Sequence, residues 1–222
     1  ANLHAKLPYD PLNDFQYLTT YAVLPNMLVV TPSLPVKTLQ ELIDYCRNKQ
    51  GDVFMASAGP GSQSHLAGIM LTMMASFPSV HVPYKGGGAS VLAVVTGEAQ
   101  WTITPASSVV GQARSGKVRA IAQSLPQRTP LLPDVPAVAE TVPGYSYSGW
   151  NGIIVPRATP QPIVAKLRAA LAKTLSQPDV KELFGKQGAE VVTMTPEDFR
   201  KLVQTEIETT AKVVKATNLK VE

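Results

Sequence analysis

The sequence is poor in cysteine and in long apolar runs. Cys46 is the single cysteine among 222 residues, which excludes an intrachain disulfide and a cysteine-based metal site. It shares a helical stripe with Leu39, Leu42 and Ile43, so we expect a buried, unreactive thiol. No apolar run approaches the roughly 20 residues of a membrane-spanning helix, and the first residues show no signal-peptide pattern. We therefore expect a soluble chain whose signal peptide was removed or never present.

Charged residues and histidines are also few. Charged residues make up 16% of the chain, and the net charge of +4 is spread out with no cluster of five or more basic residues. Nucleic-acid binding would need a basic stripe interleaved with aromatic residues, so we expect no nucleic-acid partner. The three histidines, His4, His65 and His81, lack metal-ligand spacing with Asp or Glu. We predict no metal and no other cofactor.

The sequence contains no convincing catalytic set. Ser57 or Ser62 with His65 or His81 could suggest a hydrolase, but no G-x-S-x-G motif occurs and neither histidine has an identifiable acidic partner. The glycine-rich segments match neither G-x-G-x-x-G nor a phosphate-binding P-loop. We therefore predict that the protein is not an enzyme.

Hydrophobic residues form 45% of the chain, and strand and helix patterns alternate through its middle. This alternation predicts an α/β fold with a mainly parallel sheet that is covered on both faces. The predicted strands are 53–57, 79–82, 101–104 and 118–122, and the predicted helices are 63–76, 87–96 and 107–114. Farther along, we predict two extended runs within 145–156 and helices at about 160–175, 178–185 and 196–216.

The structure of the segment before residue 53 is predicted from its proline, glycine and helix-capping residues. Tyr17–Val23 and Met27–Val30 read as separate strands because Pro25-Asn26 lies between them. A capping box at Thr38 opens a helix that we expect to end with Gly51 as a left-handed cap.

A glycine-rich turn joins the predicted strand 53–57 to the next helix. Such a turn leaves backbone N–H groups at the positive end of a helix, which suits a carboxylate or phosphate. We expect the amides of Gly61, Ser62 and Gln63 to be donors. The predicted ligand-binding residues of this segment are Ser57, Ala58, Gly59, Gly61, Ser62, Gln63 and Ser64. The alternative is that the glycines only permit a tight turn and that Ser62 only caps the helix.

A second glycine-rich segment, 81–88, follows the next predicted strand. Tyr84 could stack on a ligand or hydrogen-bond to it, and the amides of Gly86 to Gly88 could face the same cleft. Tyr84 and Gly86 are therefore candidate ligand-binding residues. Lys85 is interpreted as a solvated surface residue. For His65, a structural role in fixing the first loop is favoured over ligand contact.

Several motifs occur in a fixed order along the chain. They are Ala5-Lys6-Leu7-Pro8-Tyr9-Asp10-Pro11, Ser57-Ala58-Gly59-x-Gly61 with His65-Leu66-Ala67-Gly68, His81-Val82-Pro83-Tyr84-Lys85-Gly86, Gly116 to Ala122, Leu132 to Pro136, Gly144-Tyr145 to Trp150-x-Gly152, and Thr195 to Phe199. Together they resemble the Bug-type solute receptors of tripartite tricarboxylate transporters, which are related to TctC, from end to end of the chain.

The resemblance implies a two-lobed α/β fold of the type-II periplasmic-binding kind, a Venus flytrap that closes on a small carboxylated ligand. Residues 27–150 would form the lobe that carries the glycine-rich loops, and residues 1–26 and 151–222 would belong to the other lobe. Members of that family begin upstream, with a βα unit that supplies the opposing half of the carboxylate site. We therefore expect the first lobe to be incomplete and to expose apolar surface.

The resemblance also implies a function and two further site residues. The protein would capture a small organic acid in the periplasm and deliver it to membrane transporter subunits, without catalysis. Thr104 stands where such receptors often carry Asp, so it is a candidate ligand-binding residue that favours an acid without a cationic amine. Trp150, beside the second crossing between lobes, is a candidate wall of the cleft or, equally, a buried hinge anchor.

Two other functions stay open from the sequence. A receptor with an incomplete lobe could act as a dimerising interaction or sensory module, a possible homodimer without a transport ligand. An α/β hydrolase-like enzyme is the lesser alternative, and it would need an activity that Ser62→Ala abolishes.

Overall fold

A computed structural model describes residues 7–49, 52–130 and 132–217. Over these residues the chain forms six strands, seven α-helices and one short 3-10 helix at Val138–Glu140. The elements are β1 (Phe15–Val30), α1 (Leu39–Asn48), β2 (Phe54–Ser57), α2 (Gln63–Ala75), β3 (Val80–Pro83), α3 (Gly87–Thr96), β4 (Trp101–Pro105), α4 (Ala106–Arg114), β5 (Arg119–Gln123), β6 (Ser148–Pro156), α5 (Gln161–Leu175), α6 (Pro178–Lys186) and α7 (Pro196–Thr217). None of the described helices is both long enough and apolar enough to cross a membrane.

The chain divides into two compact units. The central unit is Leu24–Gly149, and the terminal unit combines the chain up to Val23 with the chain from Trp150 onwards. The polypeptide passes from one unit to the other within β1 and again within β6.

The sheet of the central unit has the strand order β3-β2-β4-β1-β5, and β6 pairs with β1. β2 is parallel to β3 and β4, whereas β1 is antiparallel to β4 and β5. Among these five strands only β1 runs against the rest, so the mainly parallel prediction is confirmed. The carboxyl ends of β2, β3 and β4 therefore lie at one edge of the sheet. Asn26 of β1 lies at the same edge, opposite Pro105.

β1 is one continuous strand of 16 residues, so the prediction of two strands separated by Pro25-Asn26 is wrong. Pro25 has no N–H to donate. Asn26, however, is held on both sides, because its N–H donates to Ser124 Oγ (2.8 Å) and its carbonyl oxygen accepts from the Ser124 N–H (3.0 Å). These bonds keep the backbone extended past the proline. β6 is likewise one strand where the sequence predicts two extended runs.

The strands and helices predicted at and after residue 53, other than β6, match the structure to within one residue at each end. The start of α1 is also as predicted, since Thr38 Oγ1 accepts from the Glu41 N–H (3.2 Å). Pro160 is the residue that precedes α5 as its N-cap. The predicted cap at Gly51 lies outside the described residues.

Two apolar clusters cover the two faces of the central sheet. Leu28 and Val30 join α1 and α2 on one face, whereas Met27 and Val29 join α3 and α4 on the other. This is the alternation that a strand requires when both faces are buried. Cys46 is fully buried in the first cluster, and burial raises the pKa of its thiol to about 12. The predicted buried thiol is confirmed.

The terminal unit contains an aromatic cluster around Phe199 of α7. Its ring centroid lies 5.0 Å from that of Tyr17 and 5.1 Å from that of Trp150, with both pairs nearly perpendicular. Gly152 permits this packing, because a Cβ at that position would lie 2.3 Å from Phe199 Cζ. The cluster joins α7 to the first part of β1 and to β6.

Candidate functional site

Three helices begin at the same edge of the central sheet. α2, α3 and α4 follow the neighbouring strands β2, β3 and β4, whose carboxyl ends share that edge. The first N–H groups of a helix have no partner within it, and the helix dipole makes that end positive. This edge therefore gathers several donors that suit an anion, and it forms the candidate site.

The loop from Ser57 to Ser62 uses most of its own donors. The Gly61 N–H donates to His65 Nδ1 (3.0 Å), and the Ser62 N–H donates to the Gly59 carbonyl oxygen (3.2 Å). The Ala58 N–H donates to the hydroxyl of Ser64 (2.9 Å). Two of the three amides expected to bind a carboxylate, those of Gly61 and Ser62, are thus engaged within the loop.

The donors that stay unpaired belong to the first residues of the helices. The N–H groups of Gln63 and Ser64 have no hydrogen-bond partner in the described chain, and neither have those of Gly87 and Gly88 in α3. Ser62 is the N-cap of α2, since its hydroxyl accepts from the His65 N–H (3.3 Å). Ser62 therefore does cap the helix, and ligand contact by Ser62 stays a prediction, while Gln63 keeps a free amide.

A stacked pair of histidines, of which His65 is buried and His81 is half-buried, supports the loop. The rings of His65 and His81 lie 3.7 Å apart between centroids with an interplanar angle of 11°. Ser57 Oγ, which is fully buried, lies 2.6 Å from His81 Nε2. Because His65 Nδ1 accepts the Gly61 N–H, its imidazole must be neutral in this arrangement. Burial and the neighbouring His81 lower the pKa of His65 to about 4. The predicted loop-fixing role of His65 is confirmed.

The second glycine-rich segment is joined to the first by backbone bonds. The N–H of Tyr84 donates to the Ser57 carbonyl oxygen (2.9 Å), and that of Gly86 donates to the carbonyl oxygen of Ala58 (3.3 Å). The Tyr84 hydroxyl donates to Glu98 Oε1 (2.9 Å), beyond the C-terminal end of α3, and so points away from the helix starts. The structure thus brings the Gly86 backbone to the site but not the Tyr84 hydroxyl.

Three buried polar atoms at this edge have no hydrogen-bond partner in the described chain: Asn26 Oδ1, Gln63 Nε2 and Thr104 Oγ1. Thr104 is fully buried beneath the start of α3, where a Cβ on Gly87 would lie 3.9 Å from its hydroxyl. The amide group of Gln63 lies against the backbone of Gly149, where a Cβ would come within 2.0 Å of Nε2. An unsatisfied buried polar atom costs about 1–3 kcal/mol, so three of them at one edge are suited to bind a polar ligand.

Asn26 is the site residue that sequence reasoning missed. The preceding proline, Pro25, indicated a turn at this position, although Asn26 is fully buried inside β1. The available signal was that Asn26 directly precedes the apolar run Met27–Val30, because a polar side chain buried in such a strand requires hydrogen-bond partners.

Trp150 belongs to the terminal unit, whereas the other predicted site residues belong to the central unit. The Trp150 ring packs on Phe199. The Trp150 side chain also donates a hydrogen bond to Glu206, which lowers the pKa of that carboxyl, but desolvation has the larger effect and the pKa is raised. This packing favours the anchor role over the cleft-wall role, and ligand contact by Trp150 stays a prediction.

The terminal unit contains a cavity of about 830 Å³ that the sequence did not indicate. Small and apolar residues of α5 form much of its wall, and Arg168 and Lys181 supply positive charge. It is a rival location for an acid, although none of the unpaired polar atoms of the central edge lies in it. Among the described residues no cluster of His, Cys, Asp and Glu could hold a metal ion.

Comparisons with known sequences agree on one family. A family model described as "Tripartite tricarboxylate transporter family receptor" matches residues 2–219. A protein encoded between tcbD and tcbE in Pseudomonas sp. (strain P51) is 31% identical over 213 residues, which cover 95% of this chain and 63% of that protein. BugT of Bordetella pertussis is 31% identical over 222 residues, which cover 100% of this chain and 68% of BugT. The chain thus spans about two thirds of the length of these relatives.

Solved structures give the same result for the fold. A Rhodopseudomonas palustris protein solved with adipate has a TM-score of 0.91 at 30% identity, covering 98% of this chain and 73% of its own. The periplasmic binding protein BugD has a TM-score of 0.89 at 27% identity, covering 100% and 75%. MatC from Rhodopseudomonas palustris with bound malate has a TM-score of 0.85 at 33% identity, covering 96% and 74%. The predicted α/β fold of the periplasmic-binding kind is confirmed.

Proposed function

This chain belongs to the receptor family of tripartite tricarboxylate transporters, and from that premise we propose that it is an extracytoplasmic solute-binding protein. It captures a small organic acid in the periplasm and presents it to the membrane subunits of such a transporter. It performs no catalysis and needs no cofactor. Two similar proteins have been solved with adipate and with malate, both dicarboxylates, which supports an organic acid as the ligand.

The observation that carries this proposal is the set of unpaired donors at the start of α2. The N–H groups of Gln63 and Ser64 and the side-chain amide of Gln63 lack partners in the described chain, and they lie on adjacent residues. A carboxylate accepts several hydrogen bonds at once, and bonds to a charged acceptor are stronger than neutral ones. The positive end of the helix adds to their attraction.

The remaining predicted residues take different roles in this proposal. Hydrogen bonds among some of them and to His65 hold the loop in shape, and the residues that make these bonds are Ser57, Ala58, Gly59, Gly61, Ser62 and Ser64. The first turn of α3 after Gly86 supplies a second set of amides at the same edge. Thr104 lies under that turn, and its unpaired hydroxyl is the group that it offers to the ligand. Tyr84 and Trp150 contribute to the shape of their surroundings.

Within the part of the central unit that the structure describes, no buried cation balances the carboxylate. Among the described residues of the central unit, the buried polar side chains carry no Lys or Arg, and Lys85 is exposed. The acid is therefore held by neutral donors oriented in advance, an arrangement that costs no desolvation of a protein charge.

A thermal-shift screen of the 222-residue chain tests the function. The probes are adipate, malate and citrate, each compared with its neutral amide. Ligand that binds only the folded state stabilises it by about 2.7 kcal/mol at a hundredfold excess over the dissociation constant. We expect at least one acid to raise the melting temperature and no amide to do so. Cooperative melting that no acid shifts would contradict the proposal.

Two variants locate the binding. Arg168→Gln and Lys181→Gln remove the charges of the cavity in the terminal unit. We expect both variants to keep the acid-dependent shift, because the proposed donors lie in the central unit. Loss of the shift in both would place the acid in the rival cavity.

A second function, a dimerising module without a transport ligand, is favoured by one observation. α5 exposes Ile163 (51%) and Leu167 (39%), and α6 exposes Leu183 (56%). Exposed apolar residues on neighbouring helices are typical of association surfaces. Size-exclusion chromatography with light scattering separates the two functions, since a receptor that binds acid as a monomer would leave no support for the module.

A further inference from the structure

Asn26 of β1 has a fully buried carbonyl oxygen that accepts no hydrogen bond from the described chain. Resting on the proposed function, we propose that the acid bound by the central unit carries a hydroxyl group and that this hydroxyl donates to Asn26 Oδ1. The ligand class is a hydroxylated di- or tricarboxylic acid, bound in preference to its deoxy counterpart.

The orientation of the Asn26 side chain is fixed by its other bonds. Nδ2 donates to the Tyr147 carbonyl oxygen (3.2 Å), so this end of the amide is the nitrogen and the opposite end is the oxygen. The backbone of Asn26 is held by Ser124 on both sides. An amide oxygen is only an acceptor, so its partner must be a donor.

The position of Asn26 relates it to the proposed carboxylate donors. It pairs with Pro105, the residue directly before α4, at the edge where the helices begin. Asn26 bonds to Tyr147, and the Gln63 side chain lies against Gly149, two residues farther on. The unpaired acceptor Asn26 Oδ1 and the unpaired donor Gln63 Nε2 thus belong to side chains that contact the same short segment, residues 147–149. Their complement is a ligand with both an acceptor and a neutral donor, as in a carboxylate beside a hydroxyl.

The donor is a hydroxyl and not an ammonium group because the surroundings are neutral. The buried polar residues of the described central unit are Asn, Gln, His, Ser and Thr, with no Asp or Glu among them. A buried ammonium without a carboxylate partner would be strongly disfavoured. A hydroxyl satisfies the same acceptor without introducing charge.

Matched acid pairs test this preference by isothermal titration of the 222-residue chain. Malate is compared with succinate, and citrate with tricarballylate, since each pair differs by one hydroxyl. We expect the hydroxy acid of at least one pair to bind roughly tenfold more tightly or better, because its absence leaves a buried acceptor unpaired. Equal affinities within every pair that binds would overturn the hydroxyl inference and leave the proposed function intact. If no acid binds, the proposed function itself fails.

Asn26→Ala and Asn48→Ala assign the effect to the residue. Asn48 lies exposed at the end of α1 in the same unit and serves as the matched control. We expect Asn26→Ala to abolish the preference for the hydroxy acid and Asn48→Ala to retain it. A preference that survives in a folded Asn26→Ala protein would overturn the assignment. If Asn26→Ala does not fold, the unmodified chain with its acid pairs still decides the ligand class.

Discussion

Gln63→Pro is the substitution that separates acid binding from folding most cleanly. Gln63 is the first residue of α2, a position that accepts proline because its N–H has no partner within the helix. Ser62 before it has φ −66° and ψ 162°, an extended conformation that proline allows in its neighbour. The substitution therefore removes both unpaired donors of Gln63, its N–H and its Nε2, while the helix keeps its start.

The expected loss follows from those two donors. Removing a hydrogen bond to a charged group costs about 1.5–3 kcal/mol, and each 1.4 kcal/mol is about a tenfold change in affinity. Gln63→Ala removes only the side-chain donor, so we expect roughly tenfold weaker binding of malate or adipate. Gln63→Pro removes both, so we expect about a hundredfold loss. The difference between the variants isolates the backbone N–H.

Isothermal titration with both acids measures these losses, and melting temperatures check the fold. We expect the melting temperature of Gln63→Pro to stay within a few degrees of that of the unmodified chain. The reasoning is refuted if Gln63→Pro is folded and binds within about twofold of the unmodified chain, which is less than one hydrogen bond is worth.

Three further predictions concern stability and reactivity. The lowered pKa of His65 means that its contribution to stability is complete above its ordinary value of 6.5 and is lost as the pH falls towards about 4. The free energy of unfolding lost in this way is about 3 kcal/mol. In His65→Asn the side-chain oxygen can still accept a hydrogen bond but does not titrate, so the melting temperature of this variant should fall less steeply with falling pH than that of the unmodified chain. An equal fall in both proteins would disprove the assignment. Gly152→Ala should destabilise the chain by about 1–3 kcal/mol in urea unfolding, because a Cβ would meet Phe199, whereas Gly111→Ala, with open space around it, should not. The Cys46 thiol should not react with a thiol reagent until the chain is unfolded, and fast reaction under native conditions would contradict its burial.

Local signals in the sequence predicted most of the fold. Thr38, Ser62 and Thr195 are caps that mark helix starts, and their hydrogen bonds are present in the structure. The continuity of β1 could not be predicted, because it depends on Ser124, 98 residues away, bonding Asn26 on both sides. The local sequence indicates a break at Pro25, but it does not show that Ser124 keeps the strand continuous by bonding the next residue.

The candidate site was predictable in position but not in detail. The two glycine-rich segments identify the edge of the sheet where α2 and α3 begin. Which amides stay free depends on competition inside the loop, where His65 Nδ1 takes the Gly61 N–H. That competition is set by the stacking of His65 on His81, a tertiary contact that no spacing rule reveals. Asn26 was missed for a different reason, since its neighbour Pro25 indicated a turn at a position that is buried inside β1.

An NMR titration of the 15N-labelled chain with malate, followed residue by residue, tests most directly whether an acid binds at the start of α2. The amide protons of Gln63 and Ser64 should shift most strongly, because a carboxylate would be their first hydrogen-bond partner. The Gly61 amide, already bonded to His65, should shift less. Saturable shifts confined to Arg168, Lys181 and their neighbours, with Gln63 and Ser64 unchanged, would contradict the proposed site.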